Sequence, residues 1–149
     1  MKNGSANAGR VEILLVEGNP EDTIFILNTL KKANVCNQIH AFRDGAQVLD
    51  FLFRTGSFAA QPPISPETLI LLSLRLDDVD GLEVLRKIKR DERSKMLPVI
   101  VLTDSQEERG VMQSYKIGAN ACIVKPFELS KLLEAAAELR LGWLLVARS

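Results

Sequence analysis

Residues 68–74 read TLILLSL, the most apolar run in the chain. A short run without polar alternation is a strand buried on both faces, and here it is the natural central strand. Working outward, residues 11–16 (VEILLV) are a second run of this kind, closed by Gly18, Asn19 and Pro20. Residues 99–102 (VIVL), opened by Pro98, make a third. Gln38–Phe42 and Ala121–Val124 are shorter strands. The intervening stretches switch to helical spacing. Pro20 starts a helix over 21–33, with Ile24, Leu27 and Leu30 expected to face the core. Asp44 caps one carrying Val48, Leu49 and Leu52. After a proline-rich loop over 55–66, Asp80 and Gly81 precede a helix with Leu82, Leu85 and Ile88 inward. Ser105 caps a helix through Lys116, and Gly118 ends it in the usual left-handed position. A last helix is expected from about Glu128 to Val146. Parallel strands need crossover helices, so this alternation predicts a doubly wound α/β domain around a parallel sheet.

The 149 residues suit one domain over 11–149, preceded by a frayed tail over 1–10 that lacks the apolar stretch of a signal peptide. With 46% hydrophobic and 26% charged residues the chain can bury a core and stay soluble. Lys plus Arg and Asp plus Glu are 19 each, which argues against nucleic-acid or anionic-membrane binding, both of which draw on clustered basic charge. No apolar run reaches the roughly 18 residues of a membrane span. A cytoplasmic location is the expectation. Cys36 and Cys122 are far apart and read as free thiols.

In such folds functional side chains gather at the carboxyl ends of the strands. Four places qualify: Glu17-Gly18, Ser73, Thr103 and Lys125. Taken in order, ILLVEGNPED, LILLSLRLDDVDGLEVLRKIK, PVIVLTDS and GANACIVKPF resemble the receiver domain of two-component response regulators. The likeness covers the chain from about Val11 onward. The long loop after the second helix and the SYKIGAN segment are similar to the small regulators that pair with bacterial phytochrome kinases. The resemblance implies a CheY-like, flavodoxin-like sheet of five parallel strands in the order 2-1-3-4-5. It also implies phosphorelay signalling, in which two acids after the first strand and an aspartate ending the third hold Mg²⁺. That aspartate takes a phosphoryl group from a kinase histidine, and a Thr or Ser and a Lys contact the phosphoryl oxygens. An oxygen-rich set suits a hard cation, and metal and lysine together neutralise the transferring group.

The chain departs from that pattern at its chemical centre. Glu17 matches the first acid, but Gly18 stands in place of the second and Ser73 in place of the phosphoacceptor. Thr103 and Lys125 are retained, and Cys122 stands where the family often has a switching Tyr or Phe. Mg²⁺ is therefore expected to bind weakly or not at all, with Glu17 as a residual ligand position and no cofactor required. Ser73 itself is a poor nucleophile without an adjacent base. Asp77 or Asp78 is the alternative acceptor, although both read as ordinary loop acids. Arg75 is placed to reach over the site. Lys125, deprived of its usual carboxylate, is expected to pair with Glu17 or Asp104. His40, the only histidine, has no metal cluster around it in sequence.

The reading that follows is a degenerate, non-enzymatic receiver that acts by binding a signalling protein, a sensor kinase or a downstream regulator, or a second copy of itself. Receivers are similar to one another in pairing through the fourth helix, fifth strand and last helix. Here that face carries Val111, Met112, Tyr115, Ile117, Cys122 and the apolar end around Trp143.

Overall fold

The computed structural model describes residues 12–33, 38–104 and 108–141. Its strands are β1 (Glu12–Val16), β2 (Gln38–Phe42), β3 (Thr68–Ser73), β4 (Val99–Thr103) and β5 (Ala121–Val124). All pair in parallel, in the order β2-β1-β3-β4-β5, as the sequence reading anticipates. The helices are α1 (Pro20–Lys32), α2 (Gly45–Phe53), α3 (Gly81–Arg90), α4 (Glu108–Ile117) and α5 (Leu129–Glu138), with one 3-10 turn at Gly56–Phe58.

The two faces of the sheet hold separate cores because side chains alternate along each strand. Leu14, Val16, Ile70, Leu72, Val99 and Val101 meet α2, α3 and α4. Ile13, Leu15, Leu69, Leu71, Ile100 and Leu102 meet α1 and α5. Every residue of β1, β3 and β4 is buried, which is why those strands read as continuous apolar runs.

Local chemistry sets the helix ends. Asn19, Asp44 and Asp80 each accept a backbone N–H in the first turn of the helix they precede, from Asp22, Gln47 and Leu82. Gly118, at φ 133°, closes α4. The expected cap Ser105 lies outside the described residues.

Two expectations need correction. On α1 the buried residues are Ile26 and Leu30, while Ile24 is 60% exposed. Steps of 100° place Ile24 roughly 140° from the stripe centred on Ile26 and Leu30, so its i, i+3 spacing to Leu27 does not carry it inward. The last helix stops at Glu138 rather than running to Val146. Arg140 turns left-handed at φ 59°, its N–H bonds Ala137 O, and the Leu141 N–H reaches back to Ala136 O at 2.8 Å. That double bond pattern ends a helix. Leu141 packs against the core, while Trp143 and the apolar residues beyond it lie outside the described residues.

Candidate functional site

The carboxyl ends of β1, β3, β4 and β5 bring Glu17, Ser73, Thr103 and Lys125 to one end of the sheet, as the strand-end rule requires. An open cleft of about 480 Å³ lies there, lined by Glu17, Gly18, Asp22, Arg75, Asp77, Asp104 and Lys125 among others.

Lys125 follows β5, and its backbone N–H is held by Thr103 O at 2.7 Å. Its ammonium donates to Glu17 Oε1 and to Asp22 Oδ2, each at 2.9 Å. Burial alone would favour the neutral amine. The hydrogen bonds and charges of Glu17 and Asp22 outweigh it and hold the Lys125 pKa above the ordinary lysine value. Glu17 is 1% exposed, and its other oxygen, Oε2, accepts from the Asn19 N–H at 3.1 Å. The expected Glu17 partner is therefore present. Asp104 instead lies 3.8 Å from the Arg75 guanidinium. Asp22 was not anticipated as a partner. The available signal was its place in the first turn of α1, beside the strand-end loop.

Ser73 and Thr103 are both 2% exposed, and neither is among the residues that line the cleft. Among the described residues the Ser73 hydroxyl makes only long contacts with its own loop, 3.4 Å from Arg75 N and 3.5 Å from Arg75 O. Thr103 Oγ1 is 3.3 Å from Asp104 O. Gly18 lies under the loop after β3. A Cβ there would stand 3.1 Å from Arg75 O, 3.2 Å from Leu76 Cα and 3.3 Å from Asp77 N.

The two alternative acids differ. Asp77 lines the cleft and is 3.8 Å from Arg43. Asp78 turns away from it: Oδ1 accepts from the Gly45 and Val79 N–H groups and Oδ2 from Ala46 N–H, between 2.8 and 3.0 Å. Its slight burial raises the carboxyl pKa, but these backbone donors prevail and hold it below the ordinary 3.8. Arg75 sits at the cleft as expected, well exposed, over Asp104. His40 lies within β2, 3.9 Å from Glu12 and with its ring 4.9 Å from Phe51, a structural setting.

On the α4–β5–α5 side, Met112 (64%) and Tyr115 (51%) are exposed. Val111 is half-buried, and Ile117 and Cys122 pack against the core. Cys122 Sγ lies 3.5 Å from Ser114 Oγ.

Comparison with known proteins agrees with this fold. The family model described as "Response regulator receiver domain" matches residues 13–137. The probable methanogenesis regulatory protein FilR2 of Methanothrix harundinacea is 36% identical over 88% of this chain and 84% of its own. Response regulator Rcp1 of Synechocystis is 34% identical over 89% of this chain and 88% of its own. The solved bacteriophytochrome response regulator RtBRR superposes with a TM-score of 0.82 at 39% identity, covering 93% of this chain and 83% of that one. The chain belongs to the response-regulator receiver domain family and is close to its phytochrome-associated members.

Proposed function

We propose that this receiver has lost phosphotransfer and signals by binding another signalling protein whatever the phosphorylation state of its partner kinase. The observation that carries the reading is the pairing of Glu17, the one acid retained from the family's set, with Lys125 at 2.9 Å, while a buried serine occupies the acceptor position. An acyl phosphate at position 73 needs a carboxylate there. A serine there lacks both the charge and a neighbouring general base among its contacts.

The residues present are a poor fit for Mg²⁺. Of the family's three carboxylates only Glu17 remains, and both of its oxygens already have donors. The backbone of residues 75–77 crowds Gly18, so that a side chain there would make tight contacts of 3.1–3.3 Å from its Cβ. Mg²⁺ dehydrates reluctantly and asks for near-octahedral oxygens, and Lys125 already neutralises Glu17 and Asp22 beside it. The module has no reaction to catalyse on this reading. It works as a cytoplasmic binding partner of a histidine kinase or of a downstream regulator.

A second reading, a working acceptor using a displaced acid, is favoured only by Asp77, which lines the cleft. Asp78 has both oxygens engaged by the start of α2. Incubation with acetyl phosphate and Mg²⁺, followed by intact-mass spectrometry, separates the two. No phosphoryl adduct is expected. A base-labile adduct mapping to Asp77, Asp78 or Ser73 overturns the proposal.

A further inference from the structure

Two carboxylates on different elements converge on one ammonium. Glu17 follows β1 and is buried; Asp22 stands in the first turn of α1 and is 41% exposed; Lys125 reaches both at 2.9 Å from the far side of the sheet. The same loop is tied to itself, since Asn19 N–H donates to Glu17 Oε2 and Asn19 Oδ1 accepts from Asp22 N–H. The group is closed: an inner acid, an outer acid, and a cation tethered to the fold between them.

We infer that Lys125 is the resident cation of this site, with Asp22 as its outer anchor, standing between the two carboxylates where a divalent metal would otherwise bring them together. The inference deepens the phosphorylation-independent reading and rests on it. An incoming Mg²⁺ must displace a covalently tethered ammonium and leave it half-buried without anions, which is costly. Asp22 thereby takes over the counter-ion role left empty by Ser73. The β1–α1 loop and the end of β5 are joined in one fixed arrangement with no ligand needed.

The test is thermal unfolding of the full chain in EDTA and in millimolar MgCl₂, with NaCl matching the ionic strength so that screening is equal. Wild type should give the same Tm in both. Asp22→Asn should lower Tm in both buffers and gain no response to Mg²⁺, because Lys125 still covers Glu17. Lys125→Met should lower Tm in EDTA, where the two acids are left facing each other. Mg²⁺ should then raise it by roughly 2–5 °C, a shift absent from the wild type. Lys125→Met combined with Asp22→Asn should lose that rise. Lys125→Gln, closer in shape, repeats the measurement should the methionine variant fold poorly. A Mg²⁺-dependent rise in wild type overturns the inference. So does an Asp22→Asn protein as stable as wild type, or Lys125 variants that are folded but indifferent to Mg²⁺, or unfolded in both buffers. The acetyl-phosphate experiment fails independently of these: an adduct refutes the proposed function, whereas a metal response without an adduct refutes only the resident cation.

Discussion

A serine hydroxyl carries no charge to share with an ammonium, so Lys125 must find its anions elsewhere, and a half-buried unpaired charge would be costly. That requirement was readable in the sequence, as was Glu17, because both follow strands whose ends must converge. Asp22 was not readable. An acid in the first turn of a helix is ordinarily explained by the helix dipole and the free N–H groups, so its sequence context hides a second partner. Asp78 shows the same ambiguity from the other side. In sequence it is one of two loop acids beside the acceptor position; in the structure it binds three N–H groups, two of them at the start of α2. Asp78→Ala should therefore destabilise by about 1–2 kcal/mol, the usual range for a lost cap, with urea unfolding as the measure. Its folded-state pKa is depressed, so its contribution is fully present above the unfolded value of 3.8 and fades as pH falls through the folded value below it. The gap between wild type and Asp78→Ala should thus be constant near neutrality and shrink only below about pH 4. A gap unchanged down to pH 2 would mean that the carboxylate charge contributes nothing to the cap.

The strands were legible because burial on both faces leaves one signature, an unbroken apolar run, and only an element deep in a parallel sheet has it. Helix faces were legible where neighbouring apolar residues reinforce one stripe, as on α3, where Val84 joins Leu82, Leu85 and Ile88 in the buried set and the spacing mixes three and four. They were misread where a purely i, i+3 series stood in for the true stripe, as with Ile24. The end of α5 was hidden for a different reason. The left-handed residue that stops it is Arg140, a type that carries no stop signal, while the nearest glycine, Gly142, comes two positions later. A side chain in that conformation pays a steric cost that glycine avoids, whereas glycine costs more to order from the unfolded chain. The balance favours glycine at a fixed left-handed cap, so Arg140→Gly should stabilise by about 0.5–1 kcal/mol. A modest rise in Tm by calorimetry is the expected result. An unchanged or lower Tm would show that Arg140 gains as much from its surroundings as it loses in its backbone.

At the scale of the whole molecule, a receiver that does not switch by phosphate must present its binding surface at all times. Among the described residues, large exposed apolar side chains include two groups. Ile24 and Phe25 lie on α1, while Met112, Tyr115, Val124 and Leu133 lie on α4, β5 and α5. Among the described residues β5 is an edge strand with α4 on one face and α5 on the other, so the second group frames a sheet edge. Unpaired edges and exposed apolar groups tend to be covered, and a two-fold dimer covers this one with a single self-complementary patch. Light scattering at micromolar concentration is therefore expected to give the mass of a dimer. Met112→Glu with Tyr115→Glu should return it to the monomer mass, because both side chains are already at the surface and their replacement leaves the core untouched. Ile24→Glu with Phe25→Glu, the same chemical change on α1, should leave the dimer intact. A monomer mass for the wild type ends the self-association reading. Dissociation by the α1 pair instead would move the interface to α1, next to the Lys125 cleft, and would tie assembly to the ion cluster rather than to the β5 edge.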